Sequence, residues 1–175
     1  DFGCEDSTRQ QVEVYPLLKS TISVDNHCFG FGQRFSTVLT GNGVLDGLYW
    51  ELGNLDTQSL AFFNYTYSST GIYTVELETK TKDGCVTKTF KRVDVFPLPN
   101  FKSIFSNNIC SDEKVNFGTT LDISSGTIAS IDWIFRDNIT LSGSAITRDF
   151  VIPVADEVRV IAMSNNGCVD STKVR

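Results

Sequence analysis

Residues 83–97 read DGCVTKTFKRVDVFP, a turn followed by an alternating run and a proline stop. Asp83-Gly84 supplies the positive-φ positions that a tight hairpin needs. Val86 to Phe96 is rich in β-branched residues and reads as the returning strand. Pro97 ends it, because proline has no N–H for a sheet ladder. The pattern recurs as FGCEDSTRQQVEVYP from Phe2 and as NGCVDSTKVR from Asn166. From Cys4 to Cys85 is 81 positions, and from Cys85 to Cys168 is 83. A second register agrees: Cys28 to Cys110 is 82 positions and Trp50 to Trp133 is 83. Landmarks of different chemistry on one period mean tandem copies of one structural unit.

Proline-rich stretches divide the copies. Tyr15-Pro16-Leu17-Leu18 and Phe96-Pro97-Leu98-Pro99 each end a strand and begin the next unit, and both read as short, stiff linkers. The expected domains are residues 1–16, the closing strand of an upstream module, residues 17–97, a complete module, and residues 98–175, a second module cut within its last strand. The natural protein is therefore expected to be longer.

Within the first module, Thr21–Val24, Arg34–Leu39, Leu48–Leu52 and Ile72–Lys80 alternate as strands do, and Val86–Phe96 closes the hairpin. The second repeats this with Phe101–Phe105, Lys114–Gly118, Ile131–Phe135 and Glu157–Ser164, and Asn165-Asn166-Gly167 makes its last turn. About seven short strands in roughly 80 residues suit a two-sheet sandwich. The expected fold is all-β, as tandem immunoglobulin-like β-sandwich domains. Trp50 and Trp133 are expected in the cores, with Tyr67 and Tyr73.

Composition narrows function by exclusion. The net charge of −6 argues against nucleic acid or an anionic membrane surface as partner, since both select positive faces. No apolar run approaches the roughly 20 residues of a spanning helix, so membrane insertion is not expected. Glycosidase-type carboxylate pairs, a Gly-x-Ser-x-Gly elbow and a phosphate loop are all missing. No catalytic residues, no cofactor and no enzyme activity are expected.

Trp50-Glu51-Leu52-Gly53-Asn54, followed by Tyr67-Ser68-Ser69-Thr70-Gly71-Ile72-Tyr73-Thr74-Val75, resembles the PKD (polycystic kidney disease) domain. That family carries a Trp-Asp-Phe-Gly-Asp-Gly-type turn, then Tyr, Gly and Thr-Tyr-Thr-Val. The Gly-Cys hairpin and the cysteine before the second strand resemble modules of Bacteroidota surface proteins exported by the type 9 system, gliding-associated adhesins among them. The resemblance implies a PKD-type sandwich with an extracellular spacer or adhesive role. The second copy departs from the pattern: it has Trp133-Ile134-Phe135-Arg136-Asp137-Asn138 without the glycine, and Pro153 to Val158 where Tyr and Gly are expected.

Periodic cysteines in an exported β protein read as disulfides. With no Cys-x-x-Cys and His27 as the single histidine, no metal site is expected. Two pairings stand open. One bridge within each module would join Cys28 to Cys85 and Cys110 to Cys168. In an immunoglobulin-like sandwich, however, the loop after the first strand lies at the exit end and the final hairpin turn at the opposite end. A strand length of roughly 20 Å separates the two ends, and bridged Cα atoms must lie within about 7 Å. Between successive modules those ends meet, which gives an inter-module pair, Cys28–Cys168. Cys85 and Cys4 would then bond upstream and Cys110 downstream, making a stiff rod of a flexible string.

Other candidates are weaker. Asn64-Tyr65-Thr66 and Asn138-Ile139-Thr140 fit the N-glycosylation pattern. Asp6-Ser7-Thr8 and Asp170-Ser171-Thr172 are similar to the O-glycosylation sequence of Bacteroidota, with Ser7 and Ser171 as acceptors. Asn54 and Asp56 could offer oxygens to calcium, but a satisfied turn is the simpler reading. Phe62, Phe63, Tyr65 and Tyr67 could stack on sugar, yet alternation sends half of such residues inward. The leading function is a structural or adhesive segment of a large exported cell-surface protein, a stalk presenting a distal adhesive region. Its partners would be neighbouring modules of the same chain, the secretion machinery during export, and surface polysaccharide or protein. The alternatives are accessory binding modules of a secreted hydrolase and a receptor ectodomain.

Overall fold

The computed structural model describes residues 3, 6–107, 114–150 and 157–174. Strands are the regular elements of the described residues. The first seven are β1 (Leu18–Asp25), β2 (Gln33–Gly41), β3 (Leu45–Glu51), β4 (Thr57–Gln58), β5 (Phe62–Tyr65), β6 (Gly71–Thr81) and β7 (Val86–Val95). The next seven are β8 (Asn100–Ser106), β9 (Lys114–Asp122), β10 (Ile128–Ile134), β11 (Thr140–Ser142), β12 (Ala145–Asp149), β13 (Val158–Ser164) and β14 (Val169–Val174).

The sheets have orders β1-β2-β5 and β4-β3-β6-β7, then β8-β9-β12 and β11-β10-β13-β14. Adding seven to every label of the first pair gives the second pair. The repeat in sequence is thus a repeat in topology: three strands facing four, an immunoglobulin-like β-sandwich each time. The strands β4, β5, β11 and β12, which the alternation did not single out, are two to five residues long. The shortest, β4 and β11, have two and three residues, too few to display a period of two.

The chain forms two compact units. One comprises Asp1–Val24, Arg34–Phe63 and Tyr73–Arg92; the other comprises Asp25–Gln33, Asn64–Ile72 and Val93–Arg175. In the first unit, alternation along β6 turns Val75, Leu77, Thr79 and Thr81 inward and Glu76 outward. Trp50 on β3 pairs in register with Leu77 on β6. It packs edge-on against Phe35 and Phe63, with ring centroids 6.2 and 5.4 Å away, the geometry aromatic quadrupoles favour.

The second unit has a core cluster of Phe117, Trp133, Phe135, Val158 and Val160. Trp133 pairs in register with Val160, the counterpart of the Trp50–Leu77 pair. Tyr67 is buried in this unit, and Tyr73 is half-buried in the first. Cys4, Cys110 and residues 153–156 of the divergent segment lie outside the described residues.

Candidate functional site

The chemistry that distinguishes this chain gathers around Cys28. Asn26 takes a left-handed φ of 65°, and its Oδ1 accepts the Cys28 N–H at 3.1 Å. The chain around Cys28 then pairs as a short parallel bridge with Phe96. Phe96 N–H donates to the His27 carbonyl at 2.7 Å, and Phe29 N–H donates to the Phe96 carbonyl at 2.8 Å. The fully buried Gln33 donates its Nε2 to the Cys28 carbonyl at 3.2 Å. Cys28 is therefore held by bonds from both sides before its sulfur is considered.

Cys168 sits in the last turn before β14. Ser164 N–H donates to the Cys168 carbonyl at 2.9 Å, Gly167 N–H donates to the Ser164 carbonyl at 2.9 Å, and Cys168 N–H donates to Ser164 Oγ at 3.1 Å. Gly167 has φ 78°, which explains the glycine of the Gly-Cys pattern. Cys28 and Cys168 form a disulfide with Cα atoms 5.5 Å apart, and both belong to the second compact unit. Cys168 is fully buried, and the Phe96 carbonyl oxygen lies 4.0 Å from its sulfur. The intramodule alternative, Cys28–Cys85 with Cys110–Cys168, is not what the structure contains. Each sulfur makes one such bond, and Cys28 and Cys168 have used theirs on each other. Cys85 is a free, half-buried thiol.

The turn that holds Cys85 copies the one that holds Cys168. Thr81 N–H donates to the Cys85 carbonyl at 2.9 Å, Gly84 N–H donates to the Thr81 carbonyl at 2.9 Å, and Cys85 N–H donates to Thr81 Oγ1 at 3.1 Å. Thr81 stands where Ser164 does, a hydroxyl residue capping the cysteine N–H. A hydroxyl four residues before Cys85 and before Cys168 is a sequence signal for this turn that strand alternation does not carry.

The turn after each tryptophan also repeats. Leu52 N–H donates to the Asp56 carbonyl at 2.9 Å, and Phe135 N–H donates to the Ile139 carbonyl at 3.0 Å. Asp56 N–H bonds Asn54 Oδ1 at 3.3 Å, and Ile139 N–H bonds Asp137 Oδ1 at 3.2 Å. Each is a short polar side chain folding its own backbone. The indole N–H of Trp50 donates to the Leu60 carbonyl at 2.9 Å, and that of Trp133 to the Gly143 carbonyl at 2.8 Å. The turn thus survives without the glycine of the first copy. Asn54 Nδ2 donates to Asp56 Oδ2 at 3.1 Å, so these two side chains satisfy each other within the turn. Among the described residues no three His, Cys, Asp or Glu side chains cluster as metal ligands.

The aromatic patch separates by alternation. Phe63 and Tyr67 are buried, Tyr65 is half-buried with its ring edge-on to Tyr67, and Phe62 is exposed with the Arg34 guanidinium 5.7 Å over its ring. The structure does not bring the four together as one sugar-stacking face. Asn64 and Asn138 are exposed, as is Ser7, whereas Ser171 is half-buried and its Oγ accepts from Arg159 at 3.3 Å. His27 is exposed and contributes its backbone carbonyl to the Phe96 bridge.

One cluster had no sequence signal. The Arg148 guanidinium lies 4.0 Å from the Phe135 ring centroid and 4.9 Å from that of Phe150, and it pairs with Asp137. The hydrogen bond from Arg148 holds the Asp137 carboxyl below the usual carboxylate range. On the outer face of the first unit, Lys88 is raised above the usual lysine range by its hydrogen bond to Glu76.

No family model matches the chain, and no curated protein matches it. Among solved structures it is similar to the PKD1 domain of Vibrio anguillarum Epp, at 20% identity and TM-score 0.39, over 47% of this chain and 94% of that one. It is similar to the fibronectin(III)-like modules of Clostridium thermocellum CbhA, at 18% identity and TM-score 0.48, over 89% of this chain and 92% of that one. It is also similar to the Yersinia pseudotuberculosis adhesin InvE, at 14% identity and TM-score 0.28, over 89% of this chain and 58% of that one. Identities this low bear on fold alone, and the fold assignment rests on the chain's own sheets. The chain is an all-β protein of tandem immunoglobulin-like β-sandwiches.

Proposed function

We propose that this chain is a structural segment of an extracellular repeat protein, a spacer whose successive copies are stapled to one another and that carries an adhesive region away from the cell. The observation that supports it most is the Cys28–Cys168 disulfide. It ties a loop of the first sequence repeat to the closing turn of the second, across 140 residues. Such a bond persists in oxidising, extracytoplasmic surroundings, and it removes the freedom that a short linker alone would leave. Export by the type 9 system, gliding, and contact with surface polysaccharide or protein belong to the same proposal through the resemblance to PKD modules.

Small-angle scattering on the oxidised chain and on Cys28→Ser tests it. A spacer stiffened by the staple gives a single, narrow distance distribution that broadens in the variant. Identical distributions in the two proteins would count against it. The accessory-module reading has the exposed Tyr49 and Phe90 of β3 and β7 in its favour, two aromatic residues on one sheet. Retention of the chain on insoluble polysaccharide, lost in Tyr49→Ala, would support that reading instead.

A further inference from the structure

The outer faces of the two four-stranded sheets use the same repeat positions and carry opposite charge. With Trp50 and Leu77 turned inward, their strand neighbours Tyr49, Glu51, Glu76 and Glu78 point outward. Glu51 stands directly opposite Glu76, and Tyr49 opposite Glu78. Lys88 of β7 reaches Glu76 at 2.5 Å and Glu78 at 3.4 Å, and Phe90 follows it on the same face. Three carboxylates and one ammonium thus lie between the exposed rings of Tyr49 and Phe90. The neighbouring Lys80–Asp46 pair adds no net charge.

The second unit holds Trp133 and Val160 inward at the positions 83 residues on. Ile134 and Arg159 therefore point outward opposite each other, as do Asp132 and Ile161. On β14, Lys173 lies opposite Arg159, and Ser171 opposite Ile161. Arg159 thus stands where the first copy has Glu76, Lys173 where it has Phe90, and Ile134 where it has Glu51. At these positions two cations now accompany the single carboxylate of Asp132, although Lys173 also reaches Glu157 at 2.5 Å. Arg136, in the place of Gly53, lines one cleft with Arg159 and adds to the positive charge.

Like charges directly opposite on neighbouring strands destabilise a sheet. Glu51 with Glu76 is such a pair on one face, and Arg159 with Lys173 on the other. Lys88 relieves Glu76 and Glu157 relieves Lys173, whereas Glu51 and Arg159 have no ion pair among the described residues. We propose that the two faces are a homotypic docking surface, the acidic face of the first unit binding the basic face of the second unit in another copy of this chain. Carboxylates of Glu51 and Glu76 would meet the Arg159 guanidinium and the Lys173 ammonium, with Tyr49 and Phe90 as rings for the same cations. Two acidic or two basic faces would repel, so charge selects the pairing of unlike units. Exposed ion pairs are individually weak, so the contact gains strength where many copies stand side by side. The inference stands on the two faces alone and holds whether or not the chain is a spacer.

Sedimentation over a concentration series tests it, with free thiols alkylated so that no intermolecular disulfide contributes. The wild type should associate in about 10 mM salt and dissociate in about 1 M, where charges are screened within about 3 Å. Glu76→Arg and Arg159→Glu each replace a side chain on a solvent-facing surface, and each alone should weaken association at least about tenfold. Mixed in equal amounts they should restore it, because one variant then offers two basic faces and the other two acidic ones. Near-ultraviolet dichroism like that of the wild type shows that both variants are folded. A wild type that stays monomeric up to about 1 mM, or a mixture no stronger than its separate components, overturns the proposal. A monomeric wild type that insoluble polysaccharide retains through Tyr49 overturns it as well and gives the first face to sugar. The spacer reading is decided by scattering on Cys28→Ser, so the two can fail separately.

Discussion

Cys28 and Cys168 lie 140 residues apart in sequence, and their Cα atoms are 5.5 Å apart. A cross-link over so long a loop restricts the unfolded chain strongly. The chain-entropy relation gives about 5 kcal/mol for this loop, and losses on removing native disulfides run roughly 2–5 kcal/mol. Cys28→Ser is the cleaner variant, because Cys168 is fully buried and its replacement also disturbs packing. Guanidinium denaturation should show a loss of about 2–5 kcal/mol in Cys28→Ser, and reductant should lower the wild-type midpoint to match. A wild-type midpoint indifferent to reductant would contradict the argument.

Leu55 is the one strained non-glycine residue of the turn after Trp50. It has φ 75° and is 88% exposed, so nothing in its side chain offsets the strain. A left-handed conformation costs an L-residue of this kind about 1–2 kcal/mol. The second copy places Asn138 at the same position with φ 66°, and asparagine tolerates that conformation. Leu55→Asn should therefore stabilise the protein by about 0.5–1 kcal/mol. Thermal unfolding that moves down rather than up would refute it.

The spacing of Trp50 and Trp133 exposed the repeat, and alternation marked Ile72–Lys80 and Glu157–Ser164 as strands, because both are local properties of the chain. The partner of Cys28 stood between two answers. Choosing depended on which end of a sandwich each loop occupies, and no spacing encodes that. Leu55 was invisible because its conformation is imposed by the turn bond between Leu52 and Asp56 rather than by its own preference. Arg148 was invisible too, since its aromatic contacts bring β12 to a turn eleven positions back in the chain.

The paired tryptophans give a test of structural equivalence. Each is fully buried and each donates its indole N–H to the carbonyl ten residues on. Trp50→Phe and Trp133→Phe would leave the Leu60 and Gly143 carbonyls without that donor. Such loss costs about 1–3 kcal/mol, while Trp→Ala at either position should cost about 3–5 kcal/mol. Equal positions in equal repeats should show comparable penalties by urea denaturation. A near-zero cost at one of the two would mean that the copies are stabilised differently despite their shared topology.

Asp137 provides a pH-dependent handle on the second unit. Its Oδ2 pairs with Arg148 while its Oδ1 caps the Ile139 N–H at 3.2 Å. The hydrogen bond from Arg148 is the main reason its folded carboxyl titrates below the ordinary value. A depressed carboxylate contributes stability above its unfolded pKa, and that contribution disappears as pH falls through the folded pKa. Asp137→Asn keeps the Oδ1 cap and deletes the charge, so the difference between the two proteins isolates the ion pair. The wild type should be the more stable at neutral pH, by a small margin because the pair faces solvent. The margin should shrink as the solution is taken below the usual carboxylate range of about pH 4, and raising salt at neutral pH should narrow it as well. A gap that persists unchanged into acid would show that Asp137 acts through its turn hydrogen bond alone, with Arg148 held by Phe135 and Phe150.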